Sequence, residues 1–143
     1  MIELSVGSIR YQPVRTIRSD RMVFEAAQEL YNHDVGSLIV VADDEKTPVG
    51  IITKSNINMM VAEGKTPTES TVEEMMSTPL IVVTTTETIQ TAAERMREHS
   101  IKKLPVMDGD GSVVGVLTAG DLVYYLPTFV KKLHSHRSIH TIT

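Results

Sequence analysis

GIITKSNI, residues 50–57, and GVLTAGDL, residues 115–122, spell one pattern twice: a glycine, two aliphatics, a threonine, two variable positions, a short polar side chain and an aliphatic. The polar position is Asn56 in the first and Asp121 in the second. Outward from these turns, residues 13–60 lie over residues 79–126. Pro13 falls on Pro79, Ala26 and Ala27 on Ala92 and Ala93, His33 on His99, Leu38 on Leu104 and Val40 on Val106, all with a spacing of 66. One residue is then dropped from the loop that holds Asp43, Asp44 and Glu45, and Gly50 meets Gly115 and Thr53 meets Thr118 with a spacing of 65. A chance match does not keep register through a single-residue deletion, so the chain is an internal duplication.

Each copy has the same predicted elements. Val23, Ala26, Ala27, Leu30 and Tyr31 follow the i, i+3, i+4, i+7, i+8 spacing of one helix face, and Ile89, Ala92, Ala93 and Met96 repeat it. Asp20 and Thr86 stand ahead of these helices as candidate N-caps, and His33 and His99 end them, where the helix dipole favours a basic side chain. The small alanine pairs suit a helix packed closely on a sheet. Two strands follow around a polar turn, SLIVVA then PVGIIT in the first copy and KLPVMD then VVGVLT in the second, which predicts a hairpin. A second helix follows, with Ile57, Met60 and Val61 matched by Leu122, Tyr125 and Leu126; Gly64 can stop the first and Pro127 the second. The domain division expected is repeat 1 over 8–66, a linker with a short helix over 67–78, repeat 2 over 79–127 and a basic tail over 128–143.

Composition narrows the function classes. Among 143 residues, 41% are hydrophobic, enough for a globular core, and the net charge of −4 is too mild to recommend nucleic acid or an anionic membrane as a bulk partner. The absence of cysteine removes disulfides, thiolate nucleophiles and sulfur-ligated metal. No run of about 18 apolar residues is present for a membrane span, and the N-terminus lacks a basic start followed by an apolar stretch, so a soluble cytoplasmic protein is expected. No nucleophile has a persuasive base beside it, and no enzyme is expected. Asp43, Asp44 and Glu45 read as a turn before they read as a cation site. His134, His136 and His140 in the tail, with Lys131, Lys132 and Arg137, read as scattered polar residues before they read as a metal site.

Seen once, Thr followed three residues later by Asp is a capping box. Seen twice at a strand-to-helix junction, it is also the chemistry of a phosphorylated ribose site. Free amides at a helix start and a hydroxyl suit phosphate, and a carboxylate accepts from both hydroxyls of a cis-diol.

With the β-α-β-β-α repeat, the KKLPVMDGDG strand entry and the closing GVLTAGDL, the chain resembles a tandem pair of CBS (cystathionine β-synthase) domains, a Bateman module, from about Ser8 to Leu126. The resemblance implies an α+β fold of two tandem repeats packed about a pseudo-twofold axis. It implies two clefts that bind adenosyl ligands (AMP, ADP, ATP or S-adenosylmethionine), with no required cofactor. In one cleft Thr118 and Asp121 would supply phosphate and ribose contacts, beside Lys102, Lys103, Leu104 and Pro105, closed by Pro13, Val14 and Arg15. In the other the set would be Thr53, Asn56, Gly36, Ser37 and Leu38, closed by Pro79, Leu80 and Ile81. Asparagine has one acceptor oxygen where aspartate has two, and Gly36 and Ser37 replace the two lysines, so the second cleft is expected to be the weaker. The lysines also fit a solvated strand end.

The expected function is a stand-alone nucleotide sensor that signals to an effector protein. The rivals are a ligand-free scaffolding pair and a nucleic-acid-associated adaptor, the latter opposed by the net charge. A homodimer is expected, because Met59, Met60 and Val61 in one copy and Val123, Tyr124, Tyr125 and Leu126 in the other exceed what one internal face requires.

Overall fold

A computed structural model describes residues 4–9 and 11–125. After a 3-10 turn at Val6–Ser8, the elements run β1 (Gln12–Pro13), β2 (Thr16–Arg18), α1 (Val23–His33), β3 (Ser37–Val41), β4 (Pro48–Thr53), α2 (Lys54–Ala62), α3 (Val72–Met75), β5 (Val83–Thr84), α4 (Ile89–His99), β6 (Lys103–Met107) and β7 (Val113–Thr118). Residues 119–125 then form helix α5. The fold is a mixed α/β one with two sheets, ordered β2-β3-β4 and β1-β7-β6-β5. Both expected hairpins are present, β3 with β4 and β6 with β7, each antiparallel and each irregular near its far end. β2 and β5 join them in parallel.

The chain divides into two compact units, and they are not simply the two sequence repeats. One unit joins Met1–Pro13 to the residues from Val82 on; the other is Val14–Ile81. Within each unit the body of one repeat is bound by the leading arm of the other. In the first unit the amides of Val6 and Gly7 donate to the carbonyls of Glu87 and Thr85 at 2.7 and 2.8 Å, and Ile89 donates to Leu4 at 2.9 Å. In the second unit Val72 and Glu73 donate to Arg21 and Ser19 at 2.8 and 3.0 Å, and Val23 donates to Ser70 at 2.8 Å. Every partner is displaced by 66 residues, so the duplication extends upstream of Pro13 and Pro79. The segment read as a linker with a short helix contains α3, whose Val72 and Met75 enter the core with Ile17, Val23, Leu30, Leu38, Val40, Ile52 and Met60.

The arms explain details of the helices that the sequence reading misplaced. Asp20 does not cap α1; its carboxylate is taken by Arg18 at 2.6 Å, and Met22 is the N-cap residue. The first α1 amides instead reach the carbonyls of Ser70 and Pro67, and Glu25 accepts from the Met22 amide at 3.0 Å. Thr88, not Thr86, caps α4, accepting from the Thr91 amide at 3.1 Å. Only the first alanine of each pair is fully buried, and Tyr31, on the predicted apolar face, is 86% exposed. At the other end, Asp34 and Ser100 take the left-handed conformation that closes α1 and α4. Gly64 ends α2 as expected: Lys65 donates to Met60 and Gly64 to Val61, the paired bonds of a Schellman turn.

The glycine that opens each repeated turn is a site of close approach. A Cβ on Gly50 would stand 2.7 Å from the Met76 sulfur and 2.9 Å from the Ser77 carbonyl oxygen. On Gly115 it would fall on the Tyr11 ring and 2.7 Å from the Gln12 carbonyl oxygen. In both units the arm backbone crosses the hairpin there, paired as Ser77 with Ile51 and as Gln12 with Val116. Gly115→Ala is expected to cost roughly 1–3 kcal/mol by overpacking, and Gly109→Ala, which meets nothing within 4 Å, close to nothing. Urea unfolding of the two variants checks this.

One ion pair carries a pH dependence. Arg95 forks onto Glu87 at 2.7 and 2.8 Å, and this, together with the Thr84 amide, draws the Glu87 carboxyl from 4.5 down to about 2. A carboxyl depressed on folding contributes stability that is complete above its unfolded value and is lost as pH falls through its folded one. Wild type is therefore expected to lose stability relative to Glu87→Gln between about pH 4.5 and 2, measured by urea unfolding across that range.

Candidate functional site

Hairpin register builds the repeated corner. Lys103 lies opposite Thr118 and Ser37 opposite Thr53, so the start of one strand, the end of its partner and the start of a helix meet at one place. The junction is tied by Ala119 donating to the Lys102 carbonyl at 2.9 Å and Lys54 to the Gly36 carbonyl at 3.2 Å. At each corner the threonine hydroxyl accepts from the amide three residues on, Asp121 at 3.0 Å and Asn56 at 3.3 Å. The side chain there returns the bond, Asp121 Oδ2 accepting from the Thr118 amide and Asn56 Oδ1 from the Thr53 amide, both at 2.8 Å. The capping box is thus real in both copies.

What remains for a ligand differs. Asn56 is 9% exposed and its polar atoms are engaged: Oδ1 also accepts from the Thr53 hydroxyl at 3.0 Å, and the amide nitrogen donates to Ser77 Oγ at 3.1 Å. Asp121 is half-buried, and among the described residues its Oδ1 accepts no hydrogen bond and the Thr118 hydroxyl donates none. The arms account for this. Ser77 reaches Asn56, whereas Tyr11, the residue 66 positions earlier, lays its ring on Gly115 instead. Neither Ser77 nor Tyr11 was legible as a site residue, because both lie in the stretch whose duplication left little similarity of sequence.

Thr118, Asp121, Lys102, Lys103, Leu104, Pro105 and Pro13 belong to one unit, with Pro13 paired to Gly115. Lys102 is exposed and Lys103 half-buried, while Leu104 and Leu38 are 0% and 1% exposed, so their side chains serve the core and are not offered to a ligand. Thr53, Asn56, Gly36, Ser37, Leu38, Pro79, Leu80 and Ile81 belong to the other unit. Val14 and Arg15 belong to it too: the Arg15 carbonyl accepts from the Ile39 amide, and its guanidinium lies 2.8 Å from His33 Nε2 and 3.8 Å from Glu29. His33 is thus part of a surface cluster with Arg15 and Glu29, and Asp34 closes the helix.

Asp44 confirms the turn reading of its loop. Its carboxylate takes the Thr47 hydroxyl and the amides of Thr47 and Lys46, which bring it down to about 2. No cluster of three metal-ligating side chains occurs among the described residues, and His134, His136 and His140 lie outside them. No described helix is long and apolar enough to cross a membrane.

Two matches to the CBS domain family model cover residues 6–63 and 72–128, and each begins in a leading arm. The chain belongs to the CBS domain family. It is 30% identical over 131 residues to an uncharacterized protein of Methanopyrus kandleri, covering 91% of this chain and 66% of that one. It is 30% identical to the CBS domain-containing protein YhcV of Bacillus subtilis, over 82% of each chain. It spans only 24% of the homoserine O-acetyltransferase of Methanohalobium evestigatum, at 29% identity. Among solved structures, a CBS domain protein of Pyrobaculum aerophilum complexed with AMP superposes with a TM-score of 0.81 at 26% identity, covering 92% of this chain and 99% of that one. The CBS domain pair of protein MJ0100, in complex with 5′-methylthioadenosine and S-adenosyl-L-methionine, gives 0.78 at 30% identity, covering 89% and 98%.

The engaged corner has a measurable consequence. Ser77→Ala leaves the buried Asn56 amide without its acceptor and is expected to cost about 1 kcal/mol in urea unfolding. Tyr11→Phe, at the corresponding arm position, leaves the ring on Gly115 in place and is expected to cost less.

Proposed function

We propose that this CBS pair is a regulatory protein that binds an adenosyl ligand at the Thr118–Asp121 corner and conveys its occupancy to an effector protein. The observation that carries the reading is the unspent hydrogen-bonding capacity of that corner: Asp121 Oδ1 and the Thr118 hydroxyl are free among the described residues. A carboxylate oxygen is an acceptor for a ribose hydroxyl, while the hydroxyl and the ammonium groups of Lys102 and Lys103 suit phosphate. The relatives solved with AMP and with S-adenosyl-L-methionine support the ligand class. The Asn56 corner, with Thr53, Gly36, Ser37 and residues 79–81, is the weaker site, because Ser77 already holds its amide.

The adenosyl ligands AMP, ADP, ATP and S-adenosylmethionine form the screening set. A ligand at a hundredfold its dissociation constant raises folded-state stability by about 2.7 kcal/mol, visible as a thermal shift. In calorimetry Asp121→Asn is expected to weaken the tighter AMP event roughly ten- to a hundredfold, the value of one charge-assisted bond of about 1.5–3 kcal/mol, without unfolding the protein. Equal AMP affinity in wild type and Asp121→Asn would reduce Asp121 to a helix cap.

The assembly proposed is a homodimer. Phe24, Tyr31, Met59 and Val61 of one unit and Val123 and Tyr124 of the other are 46–86% exposed, large apolar side chains open to a partner. Met60, expected among them, is instead fully buried, and Leu126 lies outside the described residues. A groove of about 640 Å³ between α1 and α2 is lined by Ala27, Leu30, Tyr31, Lys54 and Ile57 and is the surface nominated for the partner copy. Light scattering is expected to give twice the chain mass, and Tyr31→Asp to lower it toward one.

A further inference from the structure

The two units differ at their sheet edges as well as at their corners. β2 and β5 are corresponding edge strands of the two sheets, each paired on one side only. In β2 the Arg15 carbonyl accepts from Ile39 and the Ser19 amide donates to Val41, so residues 15, 17 and 19 turn their peptide groups toward β3. The carbonyl of Thr16 and the amide of Arg18 therefore point to the open side. The same parity in β5 turns the Val82 carbonyl and the Thr84 amide outward.

In the β5 edge those two groups are already satisfied, and by one ion pair. Arg95 donates to the Val82 carbonyl at 2.9 Å, and Glu87 accepts from the Thr84 amide at 2.9 Å. The pair imitates the N–H and C=O of a neighbouring strand. At the spacing of 66 the counterparts of Glu87 and Arg95 are Arg21 and Glu29, so the charges are exchanged. The exchange inverts donor and acceptor: an arginine cannot accept from the Arg18 amide, and a carboxylate cannot donate to the Thr16 carbonyl. Arg21 turns to Glu25 at 3.4 Å, and Glu29 turns to His33 at 3.0 Å. Among the described residues nothing bonds to the Thr16 carbonyl or the Arg18 amide across this edge.

Between the edge and α1 lies a groove of about 640 Å³. Its helix wall is the i, i+3, i+4, i+7 stripe Glu25, Gln28, Glu29 and Asn32. Of the charged side chains lining it, Glu25, Glu29 and Glu45 outnumber Arg18 and Arg21, so the wall carries an excess of negative charge. From the open edge, the facing polar helix and this charge we infer that the β2–α1 groove is a docking site for an extended, basic peptide segment of a partner protein, added as a strand to β2. A strand laid parallel to β2 satisfies both open groups with one residue opposite Ile17, whose N–H donates to Thr16 and whose C=O accepts from Arg18. A lysine or arginine of that segment meets Glu29, which its present neighbours hold only at the surface.

The test is a selection on the full chain from a phage-displayed library of random heptapeptides, followed by titration of the enriched peptides. Enrichment for lysine or arginine is expected, with slowed exchange and a shift of the Arg18 amide in nitrogen-15 spectra. The double variant Arg21→Glu with Glu29→Arg rebuilds the guard seen at β5 and is expected to weaken the peptides at least tenfold while leaving AMP titrations unchanged. A second measurement needs no variant: in the free protein the Arg18 amide is expected to exchange at least tenfold faster than the Thr84 amide. No enrichment, equal peptide affinity in the double variant, or an Arg18 amide as protected as Thr84 overturns the inference. So does concentration-dependent Arg18 protection without peptide, which would assign the edge to self-pairing.

Discussion

The crossing of each arm over the glycine that opens the repeated turn is the contact on which the rest of the structure depends. Gly50 and Gly115 have no Cβ, and only that lets the Ser77 and Gln12 backbones lie on the hairpins. Upstream, each arm gives its amides to the turn before α1 or α4 and receives an amide in return. The apolar residues of the arms, Val6 and Ile9 in one and Val72 and Met75 in the other, are buried as part of the cores. Each unit is completed by chain from the other repeat, so neither repeat contains its whole core. An amide left unpaired in such a junction would cost as much as a lost buried hydrogen bond, which makes the exchange obligatory once the hairpins form.

The same arms decide how the duplicated corners diverged. A corner with a capping box has its threonine and its acid or amide tied to each other, and its residual capacity depends on what stands next to it. Ser77 is short and polar and spends the Asn56 amide; Tyr11 is long and flat and covers Gly115. The difference between carboxylate and amide at the two corners thus accompanies the difference between tyrosine and serine in the two arms. An aspartate against Ser77 would still find a donor there, but it would place a charge at a position 9% exposed, and burying charge is costly unless it is fully paired. Asparagine is the neutral solution that still closes the cap.

The edges diverged by another route. At β5 two oppositely charged side chains replace a missing neighbour strand, a common protection of exposed edges. Exchange of the two charges between repeats preserves their sum but not their use, since donors and acceptors are not interchangeable. The two units are similar in fold and different at the capped corner and at the sheet edge. Such separation of fold from site is general, and here it occurs within one chain.

The duplication, the hairpins, the order of elements and the threonine-capped corners were legible in the sequence alone, because strand alternation, helical spacing and a repeated glycine-to-threonine turn are local signals. The positions Thr53, Asn56, Thr118 and Asp121 follow from that local chemistry. Tertiary structure decided what local pattern cannot carry. The arms kept their role while losing similarity, because their main contacts are backbone hydrogen bonds that almost any residue can make. Tyr31 and Met60 both have the helical spacing of an apolar face, yet Tyr31 is exposed and Met60 fully buried, because burial depends on which neighbour a face meets. Whether Asp121 keeps an oxygen free, and whether the amide of Arg18 keeps its edge open, depends on side chains many residues away that only the fold brings near or holds apart.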